Sequence, residues 1–385
     1  MTAFALPEEL EQFRKIVRDV CDDRLAPRAA EIDAADEFPW DVHKLFVDAE
    51  LMAVGYPEEH GGGGGGSLTM AVLVEEIARV SASASLIPLV NRLGAIPVML
   101  AGSKEQKDEL LGGISRGDHQ MSYALTEPGA GSDAGSMTTR YERVSEGFRL
   151  SGTKRFITGA GASDRYTVFA SKEPGSGPRA ISAFVVHAED AGFSVGKSEK
   201  KMGIRGSPTR EVYLDHVTIP QDRLLGEEGQ GFTYAMRTLD WSRPTIAAQA
   251  LGIGAGALEA AVRYADQREQ FGQKINRFQG VQFMLADMAM QVEASRLLVY
   301  RAASLCDAQD PLLTYFASVA KCFASDAAMK VTTDAVQVLG GYGYMREYGV
   351  ERMMRDAKIT QLYEGTNQVQ RLVIARQVAR ALGTV

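Results

Sequence analysis

YALTEPGAGSD, residues Tyr123–Asp133, marks the point where the texture of the chain changes. Before it, from Pro7 to about Gln120, apolar residues return at helical intervals. Leu10, Phe13, Ile16, Val17 and Val20 recur at three- and four-residue steps, and Ser103 with Gln106 forms a capping box that opens a helix through Leu111. After it come short runs rich in Val, Ile, Phe, Tyr and Thr, among them GFRLSGTKRFITG, RYTVFAS, AISAFVVH, GFSVG and REVYLDHVTIP. Several alternate with the two-residue period of half-buried strands, so a β domain, a barrel or sandwich, is expected over 121–231. From about Phe232 helical spacing returns. Val281, Met284, Leu285, Met288, Val292, Val299, Ala302 and Leu305 make one apolar face, as a helix bundle requires. The expected architecture is α+β: helical over 1–120, β over 121–231, a helical bundle over 232–385.

A chain of 385 residues exceeds what a single core usually serves, in keeping with several units. The net charge of -7 gives no electrostatic footprint for nucleic acid. The first residues, MTAFALPEELEQFRKIV, carry early acids and do not read as a secretory leader. No uncharged apolar run of about 18 residues suggests a membrane span. Cys21, Cys306 and Cys322 are too few and scattered for a disulfide framework, and the five histidines form no metal-binding pattern, so no metal and a cytoplasmic location are expected. The glycine run Gly61–Gly66 reads as a flexible loop; without a preceding strand or a following Lys-Ser/Thr it is not a phosphate loop.

Within the opening stretch, GAGSDA matches the loose dinucleotide pattern GxGxxG/A. That fingerprint needs a helix after the loop, whereas the residues that follow read as strand and Pro128 stands directly before it. A strand end whose amides and hydroxyls, Thr126 and Ser132 among them, face a polar planar ligand fits better. Far downstream lies QLYEGTNQVQR, Gln361–Arg371, with one carboxylate, Glu364, followed at once by glycine and then by hydroxyl and amide side chains. This is the pattern of a base on a tight backbone, and the two segments together suggest one site assembled from two domains.

In this order and at this distance, ALTEPGAGSD and the later QVLGGYGY and RDAKITQLYEGTNQVQR resemble the acyl-CoA dehydrogenase family over nearly the whole chain. The resemblance implies a fold with an N-terminal helical domain, a middle β-barrel domain and a C-terminal four-helix bundle. It implies FAD lying between the β domain and the bundle, and an acyl-CoA thioester threaded between flavin and base. Tyr123, Leu125 and Thr126 match positions lining the flavin. Phe156 stands where the family more often has a stacking tryptophan, and Thr158 supplies a hydroxyl near N5. Arg268, Phe271 and Gln279 match residues that hold the adenine and pyrophosphate end of FAD across a subunit boundary, completed by Gln337, Gly340 and Gly341. Thr366 and Gln368 match further FAD contacts. Ser132 corresponds to a contact of the CoA arm, Asp240 and Arg243 to its channel, and Tyr363 and Gly365 flank the base at the substrate. Glu364 matches the base that removes the α proton. Some relatives carry the base near Ser242 instead, and serine cannot serve.

The resemblance further implies electron-transferring flavoprotein as the electron acceptor and a homotetramer built as a dimer of dimers. An oxidase or flavin monooxygenase of the same fold is the alternative, and the retained glutamate argues against the monooxygenase. A non-enzymatic flavin-binding relative would call for a basic surface, which the acidic balance does not provide. The small and apolar SLIPLVNRLG, Ser85–Gly94, suggests a short, branched or medium acyl chain.

Overall fold

A computed structural model of the chain describes residues 5–383; residues 1–4 and 384–385, over which the expected outer domains and the reading of the N-terminal stretch extend, lie outside the described residues. Six helices precede the first strand: α1 (Glu8–Val20), α2 (Ala29–Ala35), α3 (Trp40–Asp48), α4 (Ser67–Val80), α5 (Ala82–Ala101) and α6 (Lys104–Arg116). The capping box is present at α6, with Ser103 Oγ accepting from Gln106 N and the Gln106 side chain accepting from Ser103 N. The glycine run before α4 is held rather than loose. Gly55 N donates to Gly64 O at 2.8 Å, Gly63 N to Ala53 O at 2.8 Å, and Asp307 accepts from the Ser67 and Leu68 amides at the start of α4. A side chain on Gly66 would meet Asp307 Oδ1 at 2.3 Å. The run therefore serves close approach, a use that the distant Asp307 defines.

The strands are β1 (Met121–Ala124), β2 (Arg140–Val144), β3 (Gly147–Thr158), β4 (Arg165–Ser171), β5 (Ile181–His187), β6 (Phe193–Val195), β7 (Thr209–Ile219) and β8 (Leu224–Leu225). They form one eight-stranded sheet in the order β6-β7-β3-β2-β4-β5-β8, with β1 added in parallel beside β4. Ladder bonds do not join β6 to β8, so the barrel is open. Alternation along β4 and β5 explains where the sheet sits. Tyr166, Val168, Phe184 and Val186 fill the sheet's own core, while Phe169, Ile181, Ala183 and Val185 point the other way into the helical core. After the Gly129–Ala134 loop the chain makes one turn of 3-10 helix, Ala134–Ser136, and enters β2 without an α-helix, which removes the dinucleotide reading.

Beyond β8 come α7 (Gly231–Gln267), a short hairpin of β9 (Glu269–Gln270) and β10 (Gln273–Lys274), α8 (Gln279–Asp307), α9 (Leu313–Leu339), α10 (Val350–Thr360) and α11 (Asn367–Ala381). The expected face of α8 turns inward, with Met288, Val292, Val299 and Ala302 all buried. One continuous core joins this bundle to the N-terminal helices. Charged pairs tie the two together as well: Glu75 on α4 pairs with Arg296 on α8, and Arg79 on α4 donates to Glu259 on α7 at 3.2 Å. Two helices, α5 and α7, are long and apolar enough by length and composition to cross a membrane. In each, 78% of the apolar window is buried within the protein, so packing in this shared core accounts for the composition.

Candidate active site

Where α5, the end of β1, β3, α7 and the α10–α11 connection converge, they enclose a cavity of about 350 Å3. Its apolar side is Leu86, Leu89, Val90 and Leu93 from α5, with Met236 and Ile246 from α7. Its polar side carries Thr126, Ser132, Thr158, Arg243, Tyr363 and Glu364. The two segments singled out in the sequence, far apart along the chain, thus face each other across one space.

Several backbone devices aim these groups. The ladder between β3 and β7 shifts register between Lys154 and Ile157, and Phe156 within that bulge has φ +56°. The bulge turns the Phe156 ring into the cavity, where it is 59% exposed and lies 4.8 Å beneath the Arg155 guanidinium. The loop after β1 is pinned to β3 from below. Lys154 Nζ donates to Leu125 O at 3.1 Å and to Glu127 Oε1 at 2.8 Å, and Arg155 N donates to Thr126 O at 2.8 Å. Glu127 also accepts from the amides of Thr138 and Thr139. Lys154 and these donors hold the Glu127 carboxyl at about 2, well below its ordinary value, against the opposing effect of burial. The side-chain hydroxyls of Thr126 and Thr158 have no protein partner among the described residues, so both are available to a ligand in the cavity.

Glu364 lies between α10 and α11 with φ +52°, and Gly365 follows at φ +88°. Left-handed backbone is costly for glutamate, of order 1–3 kcal/mol, and persists only where the surroundings impose it. At Gly365 the left-handed conformation favours glycine, and a β carbon would also displace the Gln370 amide, which lies 2.6 Å from its position. Glu364 Oε2 accepts a short hydrogen bond from Ser242 Oγ on α7. Burial pushes the Glu364 carboxyl up to about 7, opposed by the Ser242 hydroxyl, Arg243 and Lys321. The Glu364 N–H has no protein partner among the described residues, so a donor and a base of near-neutral affinity stand on the same residue.

The expected site residues divide into four groups. Tyr123, Leu125, Thr126, Ser132, Phe156, Thr158, Arg243, Tyr363, Glu364 and Gly365 all line the cavity. Asp240 does not reach its wall; one carboxylate oxygen accepts from Arg243 at 2.7 Å and the other from Thr314 at 2.7 Å, so Asp240 holds Arg243 in place. Arg268, Gly340 and Gly341 line a separate, open depression, where Arg268 stacks 5.4 Å from the Tyr342 ring. Phe271, Gln279, Gln337, Thr366 and Gln368 line neither space. Phe271 is 94% exposed, and Thr366 Oγ1 accepts from Val369 N as the cap of α11. Sequence reading missed Ser242 as a partner of the carboxylate, and it missed Lys154 and Lys321. Lys321 within the mostly apolar FASVAKCFA was the available signal; Lys154, beside Arg155 in GTKRF, gave none.

Three family models match consecutive parts of the chain: the acyl-CoA dehydrogenase N-terminal domain over residues 7–118, the middle domain over 122–217 and the C-terminal domain over 229–379. A probable acyl-CoA dehydrogenase, fadE25 of Mycobacterium bovis, is 51% identical, covering 98% of this chain and 97% of that protein. Among solved structures, butyryl-CoA dehydrogenase from Megasphaera elsdenii superposes with a TM-score of 0.94 at 42% identity, over 98% of this chain and all of that one. A chain from a structure of the electron transferring flavoprotein of Acidaminococcus fermentans superposes with a TM-score of 0.96 at 43% identity, over 98% of this chain and 100% of that chain.

Proposed function

Because this chain belongs to the acyl-CoA dehydrogenase family, we propose that it oxidises an acyl-CoA thioester to the trans-2-enoyl-CoA, with Glu364 as the base that removes the α proton. The observation that carries this reading is a carboxylate of raised proton affinity on the same cavity as the unpartnered hydroxyls of Thr126 and Thr158. The donor set fits a planar ring with polar edges. Thr126 and Thr158 present hydroxyls, Phe156 presents an aromatic face, and a β carbon added at Gly129 or Gly131 would meet no protein atom within 4 Å. FAD held there by these residues supplies the acceptor for the β hydride.

The remaining chemistry belongs to the chain. An α proton next to a thioester is weakly acidic, so a donor must polarise the carbonyl oxygen, and we assign that role to the N–H of Glu364, which has no protein partner among the described residues. Enclosure in an apolar cleft raises the carboxylate's proton affinity towards that of the polarised substrate, which makes it a better base. Ser242 and Arg243 keep it ionised often enough to act. Ser242→Ala removes a charge-assisted donor, and the acid limb of the rate–pH profile is expected to move up by roughly one unit, read by stopped-flow flavin reduction.

The α5 wall and the hydrogen-bonded set of Tyr363, Gln249 and Ser85 beside it leave room for a short or compact acyl chain. We assign the Arg268, Gly340 and Gly341 depression to the far end of FAD bound with a second copy, in a homotetramer built as a dimer of dimers, and electron-transferring flavoprotein as the acceptor. An anaerobic panel of straight and branched acyl-CoA thioesters tests the assignment. Short and branched substrates are expected to bleach the flavin, with slow return of colour in air. Rapid peroxide formation in air points instead to an oxidase.

A further inference from the structure

The described residues of α9 include one lysine with no solvent exposure and no carboxylate partner. Lys321 is 0% exposed, and its Nζ donates only to Gly365 O at 2.8 Å and to Asn367 Oδ1 at 2.9 Å. An ammonium buried without an ion pair is costly, and a methionine of similar length would fill the same apolar path at no such cost. Gly365 O does not need it either, since it also accepts from Gln370 Nε2 at 3.0 Å. Asn367 Oδ1 does take a donor from this position, because the single Ser325 hydroxyl proton is directed to Lys321 O at 2.7 Å, but a neutral donor would serve it as well. Packing and hydrogen-bond satisfaction therefore do not call for a charge at this position.

The function of the site does account for it. The carbonyl that Lys321 holds belongs to the residue directly after Glu364, in the only two-residue left-handed step of the α10–α11 connection. Asn367, the second acceptor, is itself fixed by Ser325 and Asp326, and its backbone N–H donates to Gln361 O at the other end of the same turn. We infer that Lys321 is the positioning residue of the proposed base: its ammonium fixes the Glu364–Gly365 turn from the bundle side and supplies the positive charge that favours the Glu364 carboxylate. This rests on the reading of Glu364 as the α-proton base.

The surrounding charges agree. Glu364 is faced by Ser242 and Arg243 from α7 and by Lys321 from α9; Lys321 is faced by Glu364, Arg243, Cys322 and Asp326. Burial lowers the ammonium to about 8, with Glu364 the first group opposing that shift. A cation there at neutral pH thus depends in part on the carboxylate it serves. Electrostatics and geometry act on one residue through a single side chain.

The test compares FAD-loaded wild type with Lys321→Met. Expected are a melting temperature close to that of wild type, since relief of the buried ammonium offsets the lost donor to Asn367, and acyl-CoA affinity within about threefold. Flavin reduction is expected to slow by about tenfold or more, and the acid limb of its pH profile to move upward. Lys321→Gln, which keeps a donor and drops the charge, is expected to move the limb in the same direction. A reduction rate within about twofold of wild type with an unmoved limb overturns the inference. So does a slower rate with a lowered melting temperature and an unmoved limb, which is the signature of a merely structural lysine. Failure of both variants to fold with FAD overturns it too, because it assigns the lysine to the base and not to folding. Wild type that no acyl-CoA reduces contradicts the proposed function instead, so the two failures are separable.

Discussion

Glu364→Gln is expected to retain FAD and to lose flavin reduction by acyl-CoA by about a thousandfold or more, measured in anaerobic single turnovers. The amide keeps the shape of the carboxylate and can still contact the Ser242 hydroxyl, but it cannot take a proton. The same substitution is expected to stabilise the protein, and the sign follows from proton linkage. The folded-state value of about 7 lies above the ordinary 4.5, so the folded state binds more protons than the unfolded state between the two. The penalty for ionising Glu364 is absent below the lower value and complete above the higher one, on the order of 3 kcal/mol. At pH 8 the glutamine variant therefore melts above wild type, and below about pH 4 the gap has closed. Equal melting temperatures at pH 8 would contradict the enclosure on which the base depends.

Lys154→Met is expected to destabilise the protein by about 3–5 kcal/mol, read by chemical denaturation, because it leaves Glu127 buried without its cation. Both side chains are almost fully shielded, at 0% and 2% exposure. The loss reaches function as well, since Lys154 also holds Leu125 O in the loop that presents Thr126. The pH dependence has the opposite sign to that of Glu364. The Glu127 carboxyl is depressed to about 2, so its contribution is complete above about 4.5 and is lost as the pH falls through 2. Wild type accordingly loses this term only in strong acid, while the variant lacks it at neutral pH. The contrast with Lys321 is instructive: one buried lysine has a carboxylate partner and holds the fold, and the other has only neutral oxygens as acceptors.

The order helix, sheet, helix was legible because periodicity is local: the α8 stripe and the alternation of β4 and β5 state their own environments. Ser103 and Gln106 were legible for the same reason. Glu364 and the loop after β1 stood out by composition, and the resemblance supplied their roles. Other features depend on residues distant in the chain, which no window reveals. Asp307 decides how the glycine run is used, Ser242 reaches the carboxylate from α7, and Lys321 reaches the turn from α9. Asp240 illustrates the limit of matching positions: it belongs to the site through Arg243 rather than at its wall. Phe271, Gln279, Gln337, Thr366 and Gln368 line neither the cavity nor the depression, and only the resemblance supplied roles for them.

The central claim is that Glu364 and bound FAD together remove two hydrogens from one acyl-CoA. The most direct measurement is an anaerobic single turnover of the FAD-loaded protein with a short straight-chain acyl-CoA, following flavin absorbance while the thioester is analysed by mass spectrometry. The account predicts loss of the oxidised flavin band together with one trans-2-enoyl-CoA per flavin reduced, and neither change in Glu364→Gln. Flavin that stays oxidised across short, branched and medium thioesters, or bleaching that proceeds equally in Glu364→Gln, would contradict it.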